Sequence, residues 1–110
     1  MNEAFDALTA PLRVSDLPPE KCPDGPLATG VGLLAATDRL EVGVWEHPVG
    51  TSTDIETDEV FVVLSGRGRV LLEDGRTLEL QPGTVGVLAS GTPTTWVVEE
   101  TLRKVWVVER

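Results

Sequence analysis

From residue 31 onward the chain is a succession of short Val- and Leu-rich runs, each closed by Gly, Pro, Asp or Ser. Such runs recur at roughly the 8 to 12 residue spacing of β-sandwiches and barrels, and a helical repeat of apolar positions is almost absent. The pattern predicts strands over 31–36, 40–47, 59–65, 67–73, 76–81, 84–88, 94–99 and 102–109. The strongest turn signal is Glu73-Asp74-Gly75-Arg76, where Asp-Gly suits the positive φ angles of a tight hairpin. Pro82-Gly83 and Ser90-Gly91-Thr92-Pro93 mark two further reversals. Before residue 31 the pattern differs: Pro11, Pro18, Pro19, Pro23 and Pro26, with Gly25 and Gly30, interrupt regular structure every few residues. The chain therefore divides into an irregular N-terminal arm, residues 1–30, with one short strand near Leu12 to Val14, and a β body, residues 31–110. At 110 residues it supports one hydrophobic core and not two.

Charge narrows the partners. Eighteen acidic residues against nine basic ones give a formal net charge of -9, which repels nucleic-acid phosphates and anionic headgroups. Neither nucleic acid nor a membrane is expected as a partner. The single Cys22 has no second thiol for an internal disulfide, as suits a reducing compartment. The acidic N-terminus lacks the basic start and apolar run of a signal peptide, and no stretch nears the roughly 20 apolar residues of a membrane span. A soluble, cytoplasmic protein is expected.

Strand alternation assigns side chains to shared surfaces. Glu59, Phe61 and Val63 point one way, and Val60, Val62 and Leu64 the other. Both faces of this strand are apolar, which predicts a central strand covered twice. Glu59 is then a carboxylate at the end of an apolar row, where burial demands a partner. The same alternation pairs Trp45 with His47, Thr94 with Trp96, and Lys104 with Trp106. Lys104 is either a neutraliser of an acidic group on that surface or a solvated strand charge, the commoner fate of lysine.

Gly43-Val-Trp45-Glu-His-Pro-Val-Gly50, followed by Asp58-Glu59 and, six residues after Glu59, Gly66, resembles the first conserved motif of the cupin superfamily. Gly83, Ala89-Ser90-Gly91 and Thr94 trace the second motif, with Ala89 in place of its proline. Thr95-Trp96 and Lys104-Val105-Trp106-Val107 are similar to the cupin domains of ureidoglycine aminohydrolase and ethanolamine-utilisation protein Q. The resemblance spans residues 40–108 and implies an all-β, single-domain cupin. That fold is a double-stranded β-helix, a jelly-roll-like antiparallel barrel. It also implies a homodimer, which the apolar outer sheet and the unpaired strand edge of a small barrel favour independently.

Metal-binding cupins use two His separated by one residue, then a Glu, then a His of the second motif. Carried onto this sequence, the first two positions are Ser52 and Asp54, with Thr53 and Ile55 as the alternative register, then Glu59 and Thr94. Only Glu59 keeps a strong ligand, and Ser52 and Thr94 are weak neutral donors for zinc, iron or manganese. The expected cofactor is therefore none, a divalent metal held by Glu59, Asp54 and His47 being the fallback. No catalytic residue is assigned: His47 is a general-base candidate by its titration range, yet a strand-end His before a proline is more often structural.

Trp45, Ser52, Asp54, Glu59, Phe61, Thr94 and Trp96 are expected to line a ligand pocket. An aromatic cavity with one carboxylate suits a small molecule bearing amine, amide or hydroxyl groups. Three functions stay open. A small-metabolite-binding cupin without the His-based metal site comes first. A metal-dependent enzyme acting on a small nitrogenous or carbonyl metabolite, as the aminohydrolase resemblance implies, comes second, and a structural dimer module third.

Overall fold

A computed structural model describes residues 2–110. Eight strands follow one another: β1 (Arg13–Asp16), β2 (Ala28–Ala36), β3 (Leu40–His47), β4 (Gly50–Ile55), β5 (Glu59–Leu72), β6 (Thr77–Leu80), β7 (Val85–Leu88) and β8 (Pro93–Glu109). The one helical segment among the described residues is a 3-10 turn at Pro19–Lys21. No helix of the described residues is long and apolar enough to cross a membrane.

Two long strands organise the whole, and every pairing is antiparallel. The first part of β5 pairs with β7 and with the C-terminal part of β8, Val60 opposite Val107 and Val63 opposite Lys104. Its second part pairs with β6 and with the N-terminal part of β8, Gly68 opposite Val98 and Leu72 opposite Thr94. Strand β3 joins the C-terminal part of β8 and β4 the N-terminal part. The result is two layers, β1-β2-β3-β8-β5-β7 and β4-β8-β5-β6, with β5 and β8 passing from one to the other, as in a jelly roll. The layers close on Phe61, Val63, Val70, Trp96, Val98 and Leu102, with Leu80 and Leu88 completing the core.

Gly66 makes the corner. Its φ is +89°, a left-handed conformation that glycine adopts without strain, and pairing shifts register on both sides of it. The irregularity changes the phase of the strand: Phe61 and Val63 are buried before it, Val70 after it. Without that step one half of β5 would turn its apolar residues to water.

Several elements depart from the sequence pattern. The predicted pairs 59–65 and 67–73, and 94–99 and 102–109, are each one bent strand, because Gly66 and the polar Glu99-Glu100-Thr101 stretch bend the chain without reversing it. Strand β4 carries no apolar alternation, since Ser52 is buried against polar His47 and Asp54 lies exposed at the rim, and so the sequence pattern does not predict it. Strand β2 begins at Ala28, within the segment predicted as irregular, and pairs with β1. The double cover predicted for β5 is absent within one chain: Val60 and Val62 are 44% and 37% exposed, and Val85 and Val87 of β7 extend the apolar face. The arm lies elsewhere. Ala7 and Ala10 carbonyls accept hydrogen bonds from the Arg103 guanidinium, and Pro11 and Leu12 pack over the side-chain-free faces of Gly32 and Gly30.

Candidate functional site

Antiparallel register sets up the centre of the molecule. Lys104 of β8 lies directly opposite Trp45 of β3 and Val63 of β5, so all three side chains share the inner face. Phe61 is next but one along β5, and Trp96 comes from the facing layer through the other end of β8. The Lys104 ammonium is thereby enclosed by three rings, 4.5 Å from the Trp45 centroid and 4.6 Å from those of Phe61 and Trp96. Ring faces carry negative potential, which attracts a desolvated cation. Trp45 and Trp96 meet edge to face at 5.1 Å, fixing the cage.

Lys104 Nζ donates to Glu59 Oε2 at 2.7 Å, and the two side chains are only 5% and 15% exposed. Each charge needs the other at that depth. Glu59 thus has the partner its position demanded, and Lys104 is the neutraliser of an acid rather than a solvated charge.

Above this pair opens a cavity of about 280 Å³. Trp45, Trp96 and Trp106 form apolar wall, Ser52, Asp54 and Glu59 polar wall, and Leu17 and Lys21 of the arm close one side. Lys21 Nζ donates to Asp54 Oδ1 at 2.9 Å across the rim, an exposed pair that holds the 3-10 turn against β4. Asp54 holds Lys21 well charged: the hydrogen bond and the ion pair raise the Lys21 pKa above 10.5. At such exposure the pair adds little to stability. Of the other predicted lining residues, Phe61 is fully buried beneath the ammonium, and Thr94 is buried beside the cavity rather than on its wall.

Glu56 is the site residue that strand alternation missed, because it follows the end of β4, where a period of two no longer applies. Backbone bonds fix it: its N–H donates to Thr92 O at 2.9 Å, and its carbonyl accepts from Gly91 N–H at 2.8 Å. Its Oε1 accepts from Thr94 Oγ1 at 3.1 Å and Trp96 Nε1 at 3.3 Å. Burial pushes the Glu56 carboxyl above its usual 4.5, against the pull of the Lys104 charge. A folded-state pKa above the unfolded one makes ionisation costly, so this group's contribution to stability falls as pH rises from 4.5 through the raised value. Urea denaturation across that window should show Glu56→Gln gaining stability relative to the parent as pH rises, and a pH-independent difference would contradict the assignment.

His47 is fully buried at the end of β3. Its Nδ1 lies 2.6 Å from the Pro48 carbonyl and its Nε2 2.9 Å from Ser52 Oγ. A carbonyl only accepts, so Nδ1 carries the proton and Nε2 accepts from the serine hydroxyl. Burial lowers the His47 pKa below 6.5, and the Lys104 charge adds to that, while the Pro48 carbonyl opposes it. The ring is neutral, spent on two internal bonds, and absent from the cavity wall.

The fallback metal set of Glu59, Asp54 and His47 is not assembled. Each is engaged elsewhere, Glu59 by Lys104, Asp54 by Lys21 and His47 by Ser52. Among the described residues no group of three or more His, Cys, Asp or Glu side chains is placed to hold an ion. The donors at the positions where metal-binding cupins ligate do not fit a divalent metal: the one strong ligand, Glu59, already holds the chain's own cation.

Comparison with known proteins agrees with this architecture. No curated protein matches the sequence. Among solved structures, the Clostridium difficile EutQ protein superposes with a TM-score of 0.67 at 20% identity, over 76% of this chain and 68% of that one. A putative ethanolamine utilization protein Q from Salmonella typhimurium gives 0.64 at 15% identity, over 90% and 95%. The polyketide cyclase RemF from Streptomyces resistomycificus gives 0.69 at 22% identity, over 99% and 80%. At these identities the likeness is one of fold, and one fold hosts many chemistries. The family model described as "EutQ-like cupin domain" matches residues 34–106, from the end of β2 to Trp106, and so takes in the Lys104 cage and both acids beside it. This chain belongs to the EutQ-like cupin family.

Proposed function

We propose that this protein binds a small metabolite in its barrel interior without a His-based metal site. The observation that carries the reading is the Lys104 ammonium, seated on Glu59 among three aromatic rings at the base of a half-open cavity. A fixed internal cation orients polar groups of a ligand, and the tryptophan wall supplies apolar contact. Among proteins of the same fold are some whose names denote enzymes, such as the ectoine synthase of P. lautus. A carboxyl whose pKa is raised at a cavity wall, as in Glu56, favours acid-base chemistry as the second reading. A thermal-stability screen against a metabolite panel tests the first, because a ligand specific for the folded state raises its melting temperature. A ligand that raises it and is not consumed supports binding. Turnover of that ligand supports the enzyme instead, and no shift across the panel favours a structural module.

The same reading places the protein in the cytoplasm as a homodimer, away from nucleic acid and membranes, in keeping with its charge of -9. The face made by Val60, Val62, Val85 and Val87 would be covered by a second copy. Sedimentation equilibrium should give twice the chain mass, and Val87→Lys should shift it toward one, whereas a monomeric parent would exclude the dimer.

A further inference from the structure

We infer that Glu56 is the specificity-determining residue of the cavity and that the ligand it selects is a small molecule carrying a protonated amine. The inference rests on the cavity being a ligand site and adds the chemical class of the occupant. Five ionisable side chains stand on the wall: Lys21, Asp54, Glu56, Glu59 and Lys104. Four of them cancel in pairs, Lys21 with Asp54 at 2.9 Å and Lys104 with Glu59 at 2.7 Å. Glu56 has no ion-pair partner among the described residues. Its Oε1 is occupied by Thr94 and Trp96, while its Oε2 accepts no hydrogen bond from them or from any other described residue.

A rigidly held carboxylate with one oxygen free, on the wall of a cavity, asks for a donor from outside the chain. A charged donor answers it best, because charge-assisted bonds are about twice as strong as neutral ones. An anion would meet three carboxylates against two ammoniums that are already paired. Lys104 does not repel an incoming ammonium with its full charge, since Glu59 sits against it. The Trp45 and Trp106 rings offer the apolar part of the ligand a surface, and about 280 Å³ lies at the small end of ligand pockets.

The test uses three probes of one size and different charge: n-butylammonium, 1-butanol and butyrate. Tryptophan fluorescence reads binding, because all three tryptophans of the chain stand on the cavity wall. The expected result is n-butylammonium bound about tenfold or more tightly than the other two. Glu56→Gln keeps an acceptor for Thr94 and Trp96 and should bring the amine down to the level of 1-butanol. Glu56→Asp, which keeps the charge, should retain the preference for the amine, and Glu99→Gln, at an exposed ion pair with Arg69, should change nothing. Circular dichroism confirms folding of each variant. Equal amine binding by Glu56→Gln, a preference for butyrate, or no response to any probe overturns the inference. The first two leave the cavity a ligand site of another class, and after the third the metabolite screen alone decides whether it is one.

Discussion

Lys104→Ala is expected to cost about 3–5 kcal/mol of folding stability, the range for removing one member of a buried ion pair. The cost arises on the other side of the bond: Glu59, at 15% exposure, is left with a charge and no cation. The loss also empties the cage, so Trp45, Phe61 and Trp96 surrender contacts with the lysine stem and ammonium. A double-mutant cycle separates these effects. Lys104→Met restores apolar volume while leaving Glu59 stranded, and adding Glu59→Gln removes the stranded charge. Urea denaturation should find the double variant more stable than Lys104→Met alone, because a buried pair replaced as a unit is often neutral or better. Additive losses would mean that the two side chains do not depend on one another.

Gly66→Ala is expected to be comparably severe. A β-carbon there would run into the Thr101 carbonyl and the Leu102 backbone, neither of which yields as a side-chain tip would. The φ of +89° adds a backbone penalty of roughly 1 kcal/mol, and overpacking adds about 1–3 kcal/mol. Gly75 supplies the control. Its φ is +90° with nothing within 4 Å of a β-carbon, so Gly75→Ala should cost only the backbone part. Thermal melts of both variants should therefore differ widely, and equal losses would mean that the corner tolerates a side chain.

Glu59 and Gly66 show how much the sequence reveals. The spacing from Glu59 to Gly66 is visible in the chain, and both ends prove to be physical necessities: an acid that anchors the internal cation and a glycine that turns the strand into the second layer. Period-two alternation also brings Trp45, Glu59, Phe61, Trp96 and Lys104 onto inner faces, because a strand's side-chain direction is fixed by counting. Counting fails where strands end or bend. Glu56 lies one residue beyond β4 and owes its place to backbone bonds with Gly91 and Thr92, which no local pattern announces. Strand β4 itself is hidden because its buried Ser52 bonds to His47 and its Asp54 pairs with Lys21 at the exposed rim, so neither contributes an apolar residue to the core. The depth of Lys104 was likewise illegible, since burial of a lysine depends on rings contributed by three different strands.

Elemental analysis of the purified protein, set beside that of Glu59→Gln, tests the centre of this account most directly. If the chain's own ammonium occupies the place of an ion, neither preparation should contain stoichiometric manganese, iron, nickel or zinc, and chelator treatment should leave the melting temperature unchanged. A stoichiometric metal in the parent protein that disappears with the Glu59 carboxylate would contradict it.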